Sequence, residues 1–191
     1  MKDAADELLK NVALPFEQAR AMPPSVYTSD AFLKRETSSI FAHEWFCAGR
    51  SDALANTGDY VTLDLADQPI IILRDQAKAL RAMSNVCRHR MSTLLEGRGN
   101  TRNIVCPYHA WTYNLDGSLR GAPAMDQNKG FCKADYSLPD IRCEEWLGWI
   151  FVTLNPDVPP VARQLAKVAD LVGDYDMASY TETFFETHVW D

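Results

Sequence analysis

The chain has 191 residues, 47% of them hydrophobic and 24% charged, with 26 acidic against 19 basic side chains for a formal net charge of −7. That length is enough for one large domain, or a domain with an appendage, around a sizeable core. The acidic balance disfavours duplex DNA and anionic membrane surfaces as partners, and nine glycines and ten prolines exclude collagen-like and low-complexity chains. The longest apolar runs, residues 69–73 and 149–154, fall far short of the roughly 20 residues that cross a bilayer. The early acids Asp3, Asp6 and Glu7 leave no signal-peptide pattern. The expectation is a cytoplasmic protein that engages neither nucleic acid nor a membrane.

Leu8, Leu9, Val12 and Phe16 recur at helical intervals within residues 1–22, and Pro23-Pro24 reads as the stop. A second helix begins at Ser29 or Asp30 and carries Phe32, Leu33, Ile40 and Phe41 towards His43-Glu44-Trp45. Short helices of this kind are marginal alone, so the segment reads as an arm lying on a larger body. From Phe46 the pattern changes to strands: residues 60–65 alternate, 70–73 form a continuous apolar run, and 80–85 follow. Asp116-Gly117 predicts a tight hairpin turn with positive φ angles between residues 111–115 and 118–119, and Leu147-Gly148 joins a second hairpin. Many short strands with tight turns predict an antiparallel sandwich or small barrel. Pro156, Pro159 and Pro160 mark a boundary. Beyond it, Val161, Leu165, Val168, Leu171 and Val172 predict an amphipathic helix, and residues 183–190 a further strand.

Five cysteines, an odd number, argue against a disulfide framework. Cys47, Cys132 and Cys143 read as small buried thiols. The other two have company: Cys87-Arg88-His89 and Cys106-Pro107-Tyr108-His109 each supply one thiolate and one imidazole. Zinc fingers pair cysteine with cysteine and histidine with histidine. One of each per loop is the pattern for a two-iron, two-sulfide cluster whose cysteines hold one iron and whose histidines hold the other. A zinc-stapled interaction module is the competing reading of these four residues.

Asn85-Val86-Cys87-Arg88-His89-Arg90 and Cys106-Pro107-Tyr108-His109-Ala110-Trp111-Thr112-Tyr113 resemble the large (α) subunit of Rieske non-haem iron oxygenases of the ring-hydroxylating type. So do Tyr27-Thr28-Ser29 and Phe41-Ala42-His43-Glu44-Trp45 upstream, and the resemblance covers the chain from about residue 25 onward. Met91 and Ala110 depart from it, standing where small residues, commonly glycine, are expected. The resemblance implies a mainly β fold, a Rieske-type antiparallel β-sandwich with a cluster-binding subdomain of two hairpin loops, a helical N-terminal arm and the truncated start of an α+β catalytic domain. It divides the chain into an arm at 1–45, a Rieske [2Fe-2S] domain at 46–158 with cluster loops at about 85–112, and a linker helix with the start of a C-terminal catalytic domain, itself not present, at 159–191.

By the same resemblance Cys87, His89, Cys106 and His109 are the metal and cofactor ligands of a [2Fe-2S] cluster. No catalytic residue is expected here, and a mononuclear non-haem Fe(II) is expected only in the missing C-terminal domain, with His188 and Asp191 read as ordinary strand residues. Ser92 and Tyr108 stand where respiratory Rieske proteins carry an inter-loop disulfide, which separates this chain from that branch. The implied activity is electron relay within an oxygenase that hydroxylates or demethylates a small organic substrate with O2 and NAD(P)H-derived electrons. Aromatic acids and quaternary amines both fit as substrates. The implied partners are an NAD(P)H-dependent reductase or ferredoxin as electron donor and further copies of the chain in a homotrimer or other homo-oligomer. The fragment itself transfers electrons only. A free-standing Rieske-type ferredoxin is the alternative. Tyr108, Trp111 and Tyr113 read most simply as core and loop packing; in the functional version Trp111 shields His109 and Tyr108 donates a hydrogen bond near the cluster. Arg88, Arg90 and Arg98 form either a solvated face or a positive collar for an acidic ferredoxin.

Overall fold

The computed structural model describes residues 3–125, 127–184, 186, 188 and 189. The arm is a series of short helices. Asp3 caps α1 (Ala4–Val12), its carboxylate accepting the Ala5 amide at 3.1 Å. Pro23-Pro24 starts a helix instead of stopping one. Pro24 is the first residue of α2 (Pro24–Thr28), where its missing N–H has no helical partner to lose. Ser29 caps α3 (Asp30–Glu36), its Oγ accepting from the Phe32 amide at 3.2 Å. A π-helical turn at Thr37–Phe41 then brings Phe41 against the β core and edge-on to Phe46, ring centroids 6.3 Å apart.

Ten strands follow: β1 (Phe46–Arg50), β2 (Asp59–Leu65), β3 (Gln68–Arg74), β4 (Leu80–Ser84), β5 (Arg98–Asn100), β6 (Ile104–Val105), β7 (Thr112–Tyr113), β8 (Leu119–Gly121), β9 (Asp140–Trp146) and β10 (Trp149–Thr153). Seven form one antiparallel sheet in the order β1-β10-β9-β4-β3-β2-β5, and β6-β7-β8 form a separate three-stranded sheet. The continuous run on β3 is explained by burial on both faces, because successive side chains of a strand point to opposite sides. Ile70 and Ile72 face a core with Leu54, Leu65, Ala82, Ile150 and Val152, while Ile71 and Leu73 face a second core that contains Cys87 and Cys106. One sheet therefore curls around the first core and carries the cluster-loop region on its other face.

Turn chemistry fixes the register. Ala66-Asp67 (φ +50° and +62°) and Leu147-Gly148 (φ +49° and +77°) are two-residue turns with both φ angles positive. The Asp116-Gly117 turn differs from that expectation. Only Gly117 has positive φ (+83°), its amide donates to the Asn114 carbonyl (3.0 Å), and the Asn114 amide donates to the Ser118 carbonyl (2.9 Å). This is a three-residue turn closed by a left-handed glycine. Asp116 stays outside the left-handed region because its carboxylate accepts the Ser118 amide at 2.9 Å.

Two C-terminal expectations are corrected. The amphipathic helix is broken at Leu165 (φ −94°, ψ 14°) into α4 (Val161–Gln164) and α5 (Ala166–Leu171), and of its apolar stripe only Val161 is buried. No strand forms among the described residues of 183–189, and Phe185, Thr187, Trp190 and Asp191 lie outside the described residues. The preceding segment is held by side chains instead of a ladder. The buried Arg50 guanidinium donates to the carbonyls of Leu147, Met177 and Tyr180, and Arg98 pairs with Glu182 at 2.8 Å. Among the described residues no helix is long and apolar enough to cross a membrane.

Candidate metal centre

The two Cys/His loops have the same backbone. Met91 donates its amide to the Cys87 carbonyl (3.0 Å) and Cys87 donates to the Ser92 carbonyl (2.9 Å). Ala110 likewise donates to Cys106 (3.0 Å), and Cys106 to Trp111 (2.8 Å). In each loop the residue four after the cysteine is left-handed, Met91 at φ +55° and Ala110 at +57°. These are the two positions where the sequence lacks the expected glycine. The backbone keeps the glycine-type conformation, at a cost of about 1–2 kcal/mol for each L side chain. Burial on the scale of 1.5–3 kcal/mol per large apolar side chain offsets that strain many times over in the core beneath, where Ile71, Leu73, Leu94, Ile104 and Leu138 lie within 5% exposure.

The four donors divide by depth. Cys87 and Cys106 are 1% and 3% exposed, His89 is half-buried and His109 is exposed. The imidazole rings of His89 and His109 lie 4.9 Å apart, centroid to centroid, at 68°. Burial, then the neighbouring His109 and Arg90, push the His89 pKa down, favouring the neutral ring that coordinates a metal. The set brings two thiols and two imidazoles from separate loops to one end of the fold. A two-iron, two-sulfide cluster of the mixed type takes two thiolates on one iron and two imidazoles on the other. The donor set fits the cluster.

The surrounding aromatics are corrected in detail. Trp111 stacks on His89, not His109, with centroids 4.8 Å apart and planes 5° from parallel, while Tyr108 lies over His109 at 3.7 Å. The hydroxyl that reaches the sulfurs is that of Tyr113, not Tyr108. Its oxygen accepts the Arg88 amide (3.0 Å) and lies 3.4 Å from Cys87 Sγ. Burial, with Cys87 alongside, drives the Tyr113 pKa up and keeps it protonated. Sequence reasoning missed this role. The available signal was position: a tyrosine at an inward strand position must find a partner for its hydroxyl. Arg98 leaves the collar for Glu182, while Arg88 and Arg90 remain exposed beside the histidines. The remaining thiols depart from the buried expectation. Cys47, on edge strand β1, and Cys132, in a loop, are exposed, while Cys143 is half-buried and burial pushes its thiol pKa up to about 12.

Residues 44–142, which contain both loops and the strands that hold them, match the Rieske [2Fe-2S] domain model. The chain belongs to the Rieske [2Fe-2S] domain family. Among curated Rieske relatives, the carnitine monooxygenase oxygenase subunit of Escherichia coli (strain K12) is 37% identical over 150 residues, covering 78% of this chain and 40% of the relative. The glycine betaine monooxygenase oxygenase subunit of Chromohalobacter salexigens is 34% identical over 158 residues, covering 82% of this chain and 35% of the relative. Among solved structures, the quaternary ammonium Rieske monooxygenase CntA in complex with L-carnitine superposes with a TM-score of 0.74 at 37% identity, over 80% of this chain and 44% of that one. The chain thus spans less than half the length of these relatives.

Proposed function

We propose that Cys87 and Cys106 hold one iron, and His89 and His109 the other, of a [2Fe-2S] cluster that relays electrons inside the large subunit of a quaternary-ammonium monooxygenase. The observation that carries the ligand set is the pair of loops with the same closing hydrogen bonds and the same left-handed fifth residue, one presenting buried Cys87 with half-buried His89 and the other buried Cys106 with exposed His109. When bound, the cluster supplies a one-electron carrier whose imidazole-held iron is the easier to reduce. Burial of Cys87 and Cys106 keeps water from the sulfurs, Tyr113 bonds the Cys87 sulfur, and Trp111 fixes the plane of the His89 ring. Exposed His109 is the edge through which an electron enters or leaves, with Arg88 and Arg90 steering an acidic donor.

The carnitine and glycine betaine monooxygenase relatives support a trimethylammonium-type substrate over an aromatic acid. The proposed organisation is an arm at 1–45, the relay domain at 46–158 and the beginning of a catalytic domain from 159, in a cytoplasmic homotrimer served by an NAD(P)H-dependent reductase. The mononuclear Fe(II) belongs to that catalytic domain. Neither His188, which pairs with Glu186 at 3.2 Å, nor Asp191, outside the described residues, is assigned to it.

Iron and acid-labile sulfide analysis of anaerobically reconstituted chain tests the ligand set. Equal iron and sulfide, a red-brown colour and a low average g value on reduction are expected, and all three are lost in Cys106→Ser. Colourless protein containing zinc alone overturns the reading. Oxygen consumption by the full-length subunit with its reductase, on carnitine and glycine betaine against aromatic acids, tests the substrate class.

A further inference from the structure

The two loops share a backbone but not an anchorage. Directly beneath Cys106 the second loop is closed by a β ladder, Ile104 paired with Tyr113 and Val105 with Thr112. The first loop has a single isolated bridge, Val86 with Thr93. A side chain supplies the missing ladder. Asn85 is 3% exposed, two residues before Cys87. Its Oδ1 accepts the amides of Leu95 (2.9 Å) and Leu94 (3.3 Å), and its Nδ2 donates to the Leu95 carbonyl (2.8 Å). Its own amide donates to the Pro69 carbonyl on β3 (2.8 Å), and its carbonyl accepts the Leu94 amide (3.1 Å). Both ends of the first loop are thereby tied to each other and to β3. The same ties seat Leu94, 5% exposed, in the core that contains Cys87, Cys106 and Trp111.

We propose that Asn85 is a positioning residue of the cluster site, mooring the Cys87–His89 loop through its side chain as the backbone ladder moors the second loop. The inference rests on the reading of Cys87 and His89 as ligands. The chemistry selects asparagine: the site needs one acceptor for two amides and one donor for a carbonyl. Aspartate supplies only the acceptor and sets a charge against the Leu95 carbonyl. Alanine leaves the half-buried Leu95 amide and carbonyl without the side-chain partner, while the Leu94 amide keeps only the Asn85 backbone carbonyl. With the mooring lost, two contacts slacken, the Trp111 stack on His89 (4.8 Å) and the Tyr113 hydroxyl at Cys87 Sγ (3.4 Å).

The test compares wild type, Asn85→Ala and Asn85→Asp in the full chain, with Ile150→Val in the other core as a purely structural control. Hydrogen exchange at the Leu95 amide, measured with and without bound iron, is expected to be about tenfold faster or more in Asn85→Ala, the factor set by a donor left without its partner. Iron release to a chelator is expected to accelerate by a similar factor, with altered g values and a shifted reduction potential in the molecules that retain the cluster. Asn85→Asp, which keeps both amide bonds, falls between, and decides by the same readouts if the alanine variant does not fold. Ile150→Val lowers the melting temperature without moving the g values or the potential. Full loading with unchanged exchange, g values and potential in the Asn85 variants overturns the inference. Wild type without iron and sulfide overturns the ligand reading itself, so the two failures are distinguishable.

Discussion

Tyr113→Phe separates the hydroxyl from the ring in a side chain that is 0% exposed. The hydroxyl oxygen already accepts the Arg88 amide at 3.0 Å, so its own hydrogen is left for Cys87 Sγ, 3.4 Å away. Removing it costs two things. The Arg88 amide loses a buried partner, a loss of about 1–3 kcal/mol in stability. The sulfur loses a donor. Hydrogen bonds to charged acceptors contribute about 1.5–3 kcal/mol. If about 1 kcal/mol of that discriminates between the oxidised site and the more negative reduced one, a one-electron couple shifts down by roughly 40 mV, on the scale of 59 mV per 1.4 kcal/mol. Spectroscopic redox titration of wild type and Tyr113→Phe reads the potential, and urea unfolding reads the stability. A lower potential with lower stability is expected. Lower stability with an unmoved or raised potential would mean that the hydroxyl serves the backbone alone, refuting the assigned hydrogen bond.

Asp75 lies in the β3–β4 turn, where burial opposes its charge. Hydrogen bonds from Arg81 (2.9 Å) and the amides of Ala79 (2.8 Å) and Ala77 (2.9 Å) outweigh that and hold its pKa below the usual carboxylate value. Its contribution is therefore fully present above the unfolded pKa of about 3.9 and is lost as pH falls below that through the folded value. Asp75→Ala is expected to lose about 2 kcal/mol at neutral pH, with the gap to wild type closing below about pH 4 in urea titrations. A gap that widens in acid contradicts this. In Gly148→Ala, the new Cβ meets Arg50 Nη2 at 2.5 Å in a backbone with φ +77°. Thermal denaturation should show a loss of about 2 kcal/mol. Met91→Gly relieves a left-handed residue that is 68% exposed. Set against glycine's greater freedom when unfolded, a net gain of up to about 1 kcal/mol is expected at the denaturation midpoint. A destabilised Met91→Gly would show that the side chain makes contacts worth more than the strain.

The loops illustrate how far the sequence reaches. Ligand type and spacing are local, because two to three residues separate each cysteine from its histidine, and a short loop has few ways to present both. The left-handed backbone at Met91 and Ala110 was not legible in the residues themselves: the resemblance marks the two positions only as departures from small residues, and the structure shows why glycine suits them. Anchorage was not legible. Asn85 reads as an ordinary polar residue beside a motif until Leu94 and Leu95 are brought back to it, and Tyr113 reads as packing until its hydroxyl is seen within reach of Cys87. The functional version of Trp111 names its neighbour His109, whereas its stacking partner, His89, sits on the other loop.

The C-terminal segment shows the opposite failure. Periodicity over residues 161–172 gave one amphipathic helix, but periodicity records which side chains are apolar, not whether a partner surface holds them, and the stripe breaks at Leu165 with only Val161 covered. By itself, then, the sequence determined the antiparallel class, the Leu147-Gly148 hairpin turn and the Rieske-type cluster chemistry, since each follows from short-range stereochemistry or from the kind of donor atoms. The tertiary structure alone decided which face of β3 meets which core, which aromatic packs on which histidine and what ties the first loop down. Those contacts join residues distant along the chain, and their strength depends on desolvation and geometry that exist only once the chain has closed on itself.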